Sequence, residues 1–322
     1  MIYLDHNATT PIDHRVLEAM MPYLTTVFGN PSSTTHAFGW DAVKAVQTSR
    51  EALAKCMGST EADSIIFTAG ATEANNLAIL GAIDVAEKPH LITQKTEHDS
   101  VLRTFAHLAS RGCLVTYLDV DETGWLAPER LRSAMTDKTR LVSIMFANNE
   151  VGTVQEIRTL AGIAHEWPHV LFHTDAAQAM GKVPIDVVTD DIDLMSFTAH
   201  KCYGPKGVGG LYVSSHCRSL LKPIQFGGGQ EHGLRPGTLN VAGIVGLAKA
   251  MVLGCEEQQC ERQRLTQMRD HFIRDMMHRL DGVTLNGHPT KRLFGNVNLS
   301  FAGVDAGKLT LSLKNVACSA GS

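Results

Sequence analysis

Two residues, Asp175 and Lys201, have types and a spacing that could do chemistry together. Asp175 follows the apolar run 170–172, and Lys201 follows a second such run, 192–197. Each run reads as a buried strand. An acid and an amine at the ends of two strands, aimed at one pocket, are what a pyridoxal 5'-phosphate site needs. The amine forms a Schiff base with the aldehyde, and the acid keeps the pyridine nitrogen protonated so that the ring accepts electrons. The same residues also have a plainer reading. Asp175 can cap a helix over 176–180, and Lys201 can be a solvated lysine near Gly204-Pro205. The context is chemical nonetheless: Ser196, Thr198 and His200 cluster polar groups at a strand end, and the Gly/Pro-rich turn 204–210 lets backbone approach a bulky group.

The elements that must position these groups alternate along the chain. Residues 13–23 read as a helix. Residues 40–57 read as an amphipathic helix with Val43, Val46, Leu53 and Met57 inward and Lys44, Arg50 and Glu51 outward. A strand at 64–68 runs through the small-residue turn 69–72 into a helix at 73–83. That arrangement offers free N–H groups and a positive dipole end to an anion, with the Thr72 hydroxyl as a further donor; a simple N-cap is the other reading of Thr72. The strand 91–94 leads to His98, either a structural hydrogen-bonder or a mover of protons, and Asp99 reads as the cap of a helix at 100–110. A strand at 114–118, a helix at 128–135, a strand at 141–146 and a helix at 156–166 follow. Asn149 sits after the third of these, where a turn asparagine is equally natural. Gln178 lies one helical turn past Asp175. The alternation predicts an α/β fold with a mostly parallel sheet covered on both faces and a ligand at the strands' carboxyl ends. Beyond three glycines at 227–229, residues 238–280 read as a long helix leading into a smaller α+β domain. That domain is read as strands at 284–286 and 296–301 and a helix at 306–313.

Composition limits the possibilities further. The 322 residues are 44% hydrophobic, enough for a large core and about two domains. The net charge of −4 is mixed along the chain, which argues against direct nucleic-acid binding. No apolar stretch is long enough to cross a bilayer. The opening enters a polar motif at once, so no leader is expected. The seven cysteines are odd in number and scattered, which fits a reducing cytoplasm. Only Cys255 and Cys260 sit close together, and no second Cys/His pair has ligand spacing, so no metal site is expected.

The motifs LDHNATTP, FGNPSS, TAGATEANN, TEHDSVL, ANNEVGTVQEI, HTDAAQ, SFTAHKCYGPKGVGGLYV and FGGGQEHGLRPGT occur in order over essentially the whole chain. As a set they resemble the NifS/IscS-type cysteine desulfurases, pyridoxal-phosphate enzymes of aminotransferase fold type I. The resemblance implies a large domain with a seven-stranded-type sheet at 15–250, a small C-terminal domain at 251–322 that is incomplete, and an N-terminal segment, 1–14, at the active-site mouth. It implies Lys201 and His98 as catalytic residues, His98 lying over the ring. Ala71, Thr72, Thr198 and His200 would hold the phosphate, joined across a homodimer by the partner chain's copy of Thr238. Asp175 would hold the ring nitrogen, and Asn149 and Gln178 would face the ring oxygen. The implied substrate is L-cysteine, giving alanine and a persulfide passed to a sulfur-acceptor protein. Iron–sulfur assembly, tRNA thiolation and DNA phosphorothioation all fit. Selenocysteine lyase is the nearest rival, since EHDS and the FGGGQE segment resemble that branch too.

The resemblance breaks at the C-terminus. The family's S-x-G-S segment is followed by Ala and the nucleophilic cysteine, which would be the second residue after Ser322. Cys318 lies on the wrong side of that loop and reads as a small buried cysteine. The expectation is therefore either a fragment of the enzyme or a truncated, inactive scaffold that binds cofactor and docks sulfur acceptors.

Overall fold

A computed structural model describes residues 1–320. The expected fold class is the one observed: an α/β layered structure around a seven-stranded, mostly parallel sheet. The chain starts with the short strand β1 (Ile2–Tyr3), followed by α1 (His14–Thr25) and α2 (Ala37–Cys56). Then come β2 (Ile65–Thr68), α3 (Ala71–Gly81), β3 (His90–Gln94), α4 (Asp99–Ser110) and β4 (Leu114–Leu118). The middle of the chain supplies α5 (Pro128–Ala134), β5 (Thr139–Ser143), α6 (Ile157–Ala164), β6 (Leu171–Asp175), β7 (Leu194–Thr198) and β8 (Gly209–Val213). The 39-residue α7 (Val241–Arg279) then runs unbroken through residue 250. Last are β9 (Val283–Leu285), β10 (Leu299–Phe301), α8 (Ala306–Ser312) and β11 (Val316–Ala317).

The large sheet has the order β2-β8-β7-β6-β5-β3-β4. The pairs β4-β3-β5-β6-β7 are parallel, while β8 runs antiparallel to both β7 and β2. Strands buried on both faces need apolar residues at successive positions, and the sequence supplies them. Ile65 and Phe67 face a core shared with Leu53 of α2, Leu160 of α6 and Leu247 of α7. Ile66 between them packs with Leu77 of α3 on the other side. There α3 and α4 cover the sheet, with Ile79 and Phe105 over Leu91 and Leu141. The tight crossing behind α3 depends on glycine. A Cβ on Gly209 would lie 2.5 Å from the Phe197 carbonyl oxygen and 2.8 Å from Gly70 Cα.

Two small pairs complete the strands: β9 with β10, antiparallel, and the first strand, β1, with β11, parallel. The second pair ties the start of the chain to its C-terminal part, reinforced by Ser319 Oγ donating to Asp5 Oδ1 at 2.9 Å. Gly321 and Ser322, with which the expected S-x-G-S segment ends, lie outside the described residues.

Three local expectations need correcting. Arg50 points inward, 6% exposed, because Glu231 meets it there; Val43 on the same helix is 47% exposed. His98, not Asp99, caps α4, with its ring nitrogen accepting the Ser100 N–H. Residues 177–180 form turns, not a helix, because Asp175 Oδ1 takes the Ala177 N–H at 2.9 Å and curls the chain immediately.

Candidate active site

Parallel neighbours deliver their carboxyl ends to one edge of a sheet, and β6 and β7 do so in register, Asp175 opposite Ser196. Asp175 closes β6, and a 3-10 turn over Ala199–Lys201 follows β7 directly. Acid and lysine therefore emerge together. Burial lowers the Lys201 amine below its ordinary pKa, while the charges of Asp175 and Asp5 pull the other way. A desolvated amine is more often neutral and so more nucleophilic.

The Asp175 carboxylate is held at both oxygens. Oδ1 accepts from the Ala177 N–H at 2.9 Å, and Oδ2 accepts from Asn75 Nδ2 at 2.7 Å. The same Asn75 amide donates to Ser100 Oγ at 2.8 Å. Ser100 Oγ in turn lies 2.8 Å from His98 Nδ1, which also accepts the Ser100 N–H at 3.1 Å. Since that nitrogen accepts, the ring proton is carried on Nε2. Asp175 and His98 are thus linked through Asn75, which is fully buried on α3.

The N-terminal segment crosses this edge. Lys201 Nζ donates to the Asn7 carbonyl, and Gln178 Nε2 donates to the same oxygen at 2.8 Å. Asn7 Nδ2 donates to the Asn149 carbonyl at 3.3 Å. One backbone oxygen therefore gathers the amine of β7's end and the amide that follows β6. His200 turns toward the same segment: its Nδ1 is 3.2 Å from Thr9 Oγ1, and its carbonyl accepts from the Thr10 N–H at 2.9 Å and Oγ1 at 3.0 Å. Burial, with Lys201, Lys206 and Lys182 adding, pushes the His200 imidazole down to about 4. Lys182, which donates to Gln178 Oε1 at 3.2 Å, is lowered to about 8 by burial; Cys202 pulls it up and Lys201 pushes it down.

Facing these groups is the start of α3. Its cap, Gly70, has φ +156 and offers no side-chain hydrogen bond. The N–H groups of Ala71 and Thr72 thus begin a helix with no side chain capping them, which is the donor set an anion takes. Thr198 Oγ1 borders this end, 3.8 Å from where a Gly70 Cβ would stand, and donates to the Val208 carbonyl at 3.2 Å. Helix-end amides, a desolvated lysine, a converging amide donor and a buried carboxylate match, group for group, the phosphate, aldehyde, ring oxygen and ring nitrogen of pyridoxal 5'-phosphate. The residues present fit that cofactor.

Thr238 lies apart, exposed, just before α7. Its segment is fixed from behind: Arg235 pairs with Glu73 at 2.7 Å, and Glu231 is buried against Arg50, with Nη2 to Oε1 at 2.6 Å. Asn7, Asn75 and Ser100 were not singled out from the sequence. The signal for Asn75 was present: it stands three residues after Thr72, on the same face of the helix. Asn7 had none, because which backbone oxygen meets Lys201 depends on how the segment threads.

A family model described as aminotransferase class-V matches residues 2–322. A cysteine desulfurase IscS of Rickettsia massiliae (strain Mtu5) is 46% identical over 323 residues, covering 100% of this chain and 78% of the relative. Among solved structures, a NifS-like protein superposes with a TM-score of 0.92 at 37% identity, covering 97% of this chain and 85% of its own. SspA in complex with cysteine superposes at 0.84 with 37% identity, covering 100% and 90%.

Proposed function

The chain belongs to the class V aminotransferases, and from that premise we propose that it works as a pyridoxal-phosphate-dependent cysteine desulfurase through the residues gathered at the ends of β6 and β7. The observation that carries the assignment is the convergence of Lys201 and Gln178 on one point beside a doubly held Asp175. When bound, the cofactor supplies an aldehyde that exchanges amines and a ring that accepts electrons. Ala71, Thr72, Thr198 and His200 hold its phosphate; for His200 this requires the ring to leave Thr9. Asn149 and Gln178 face the ring oxygen. Asp175 keeps a proton at the ring nitrogen, and Asn75 and Ser100 keep Asp175 and His98 in place. Lys201 would hold the aldehyde of the bound cofactor, and its amine, once free, would carry the proton at Cα of L-cysteine. The lysines around the pocket favour an anionic substrate and phosphate.

L-cysteine as substrate is supported by the IscS relative and by a similar structure that holds cysteine. The sulfur goes to a thiol as a persulfide, with alanine released, and then to an acceptor protein. The large and small domains divide near residue 250. A homodimer is supported by exposed apolar groups on the second helix and the connection before it: Phe28 is 69% and Trp40 58% exposed, and the Phe28 and Phe38 rings stand 5.4 Å apart. Thr238 would then serve the partner's site. Among the described residues no helix is long and apolar enough to cross a membrane, and the seven free thiols suit a reducing cytoplasm.

The test is spectroscopic. The protein loaded with cofactor shows visible absorbance that changes on adding L-cysteine. Lys201→Ala lacks the starting band; a variant that kept it would remove Lys201 from its role.

A further inference from the structure

At the far end of β7 from Lys201 a second group of ligating side chains comes together. Asp193 immediately precedes the strand, and the chain leaving β8 returns to it because β8 runs antiparallel, pairing Val213 with Leu194. His216 and Cys217 follow in a 3-10 turn over Ser215–Leu220. One ligand atom from each of Asp193, His216 and Cys217 lies within 4.8 Å of the others. We propose that these three side chains bind a divalent transition metal of zinc type, about 17 Å from the catalytic edge, the length of a five-residue strand.

The donor set is the mixed thiolate, imidazole and carboxylate that zinc takes, with the fourth position left to water. Bonds of about 2.0–2.3 Å place tetrahedral donors roughly 3.4–3.7 Å apart. Asp193 Oδ1 and His216 Nε2 stand at 2.8 Å, so the site forms by opening this contact slightly. His216 can move, since its side chain is 69% exposed. The surroundings orient the ligands. Ser214 Oγ lies 3.2 Å from His216 Nδ1, and once the Nε2 contact to Asp193 opens it can accept a hydrogen bond from a protonated Nδ1, leaving Nε2 free to ligate. The other Asp193 oxygen is fixed by the Phe172 N–H at 2.7 Å and His165 Nε2 at 2.8 Å, and His165 is held in turn by Asp191 at 2.7 Å. Cys217 is fully buried and its N–H is anchored on the Ser214 carbonyl at 3.0 Å. A metal with one carboxylate, one thiolate and one neutral imidazole carries no net charge, which suits a partly buried place. Binding forms a metal–sulfur bond and sends the Cys217 thiol proton to buffer. The bound ion would clip the end of β8 to the start of β7. Sequence spacing could not show this, because Asp193 is brought to the His216-Cys217 pair only by the β7–β8 pairing.

The reduced, chelator-treated full chain is titrated with Zn²⁺ by calorimetry and with Co²⁺ by difference absorbance. One equivalent should bind, with proton release, and the cobalt adduct should show a thiolate charge-transfer band. Cys217→Ser should lose that band. His216→Ala, at an exposed position that does not threaten folding, should weaken binding at least about tenfold. Cys56 and Cys255 are a neighbouring thiol pair elsewhere, Cys255 Sγ lying 3.9 Å from the Cys56 carbonyl, and a Cys56→Ala/Cys255→Ala protein should bind as before. If the wild type takes up no equivalent, or if His216→Ala binds like the wild type, the site does not exist.

Discussion

Removing the Glu231 side chain is expected to cost as much as truncating a large core residue. Arg50 is 7% and Glu231 1% exposed at the side chain. The pair is bidentate, with Nη1 to Oε2 at 3.1 Å and Nη2 to Oε1 at 2.6 Å, and Oε2 also accepts the Phe67 N–H at 2.6 Å. Arg50 further donates to the Ile65 carbonyl and lies over the Phe67 ring, 4.7 Å from its centroid. Glu231→Ala leaves a guanidinium buried without its counter-charge and the Phe67 amide without an acceptor. Breaking a buried pair from one side costs about 3–5 kcal/mol. The strained backbone at residue 231, φ +49, does not offset this, because alanine is no more at ease there than glutamate. Urea unfolding should show that loss in the midpoint. Arg50→Met/Glu231→Ala should lose less than the sum of its single variants, by about 0.5–3 kcal/mol of coupling. Because Glu231 anchors the segment that carries Thr238, cofactor should also dissociate faster from the single variant. A Glu231→Ala protein within about 0.5 kcal/mol of wild type, or strictly additive variants, would refute the reasoning.

Asn75→Ala removes a charge-assisted hydrogen bond from Asp175 and should weaken cofactor binding roughly tenfold or more, measured by absorbance titration; an unchanged affinity would mean the Ala177 N–H alone holds the acid. Burial lowers the His173 imidazole to about 3 from 6.5. Between those values the unfolded chain binds the extra proton, so stability falls as pH falls, by about 3 kcal/mol from pH 6.5 to 4. His200 acts in the same direction, while Glu97, raised by burial, acts in the opposite one. His173→Asn should therefore flatten the acid limb of urea midpoints against pH, and an unaltered slope would reject the assignment. Mixed dimers of Lys201→Ala and Thr238→Ala chains should regain one cofactor site of native affinity per dimer, because one pocket then draws both intact residues; no recovery would place Thr238 in its own chain's site.

The layered fold was readable because its strands are apolar at successive positions and its helices are amphipathic, so Ile65, Ile66 and Phe67 announce a strand buried on both faces. That Asp175 and Lys201 emerge at one edge was readable because strand ends in a parallel sheet meet there, while Gln178 reaches the same place through a turn and not through the expected helix. Arg50 was misread because helical periodicity takes a charge as outward, and only the buried Glu231, 181 residues away, makes the inward position tolerable. Asp99 was taken as the cap of α4 because aspartate is the commoner cap, while the ring nitrogen of His98 does that work. Asn7 went unnoticed because its partners come from distant elements, whereas Asn75 could have been found from its place one helical turn past Thr72.

The opening stretch of the chain behaves like a bolt. One end is stitched to the final strand, and the other is thrown across the reactive amine through the carbonyl of Asn7. Drawing the C-terminal portion outward would slide the bolt and free the amine, so shifts in that portion would set how readily an incoming amino acid finds its target. A bulky fusion placed ahead of Ile2 would jam this travel while leaving the sheet and its helices intact.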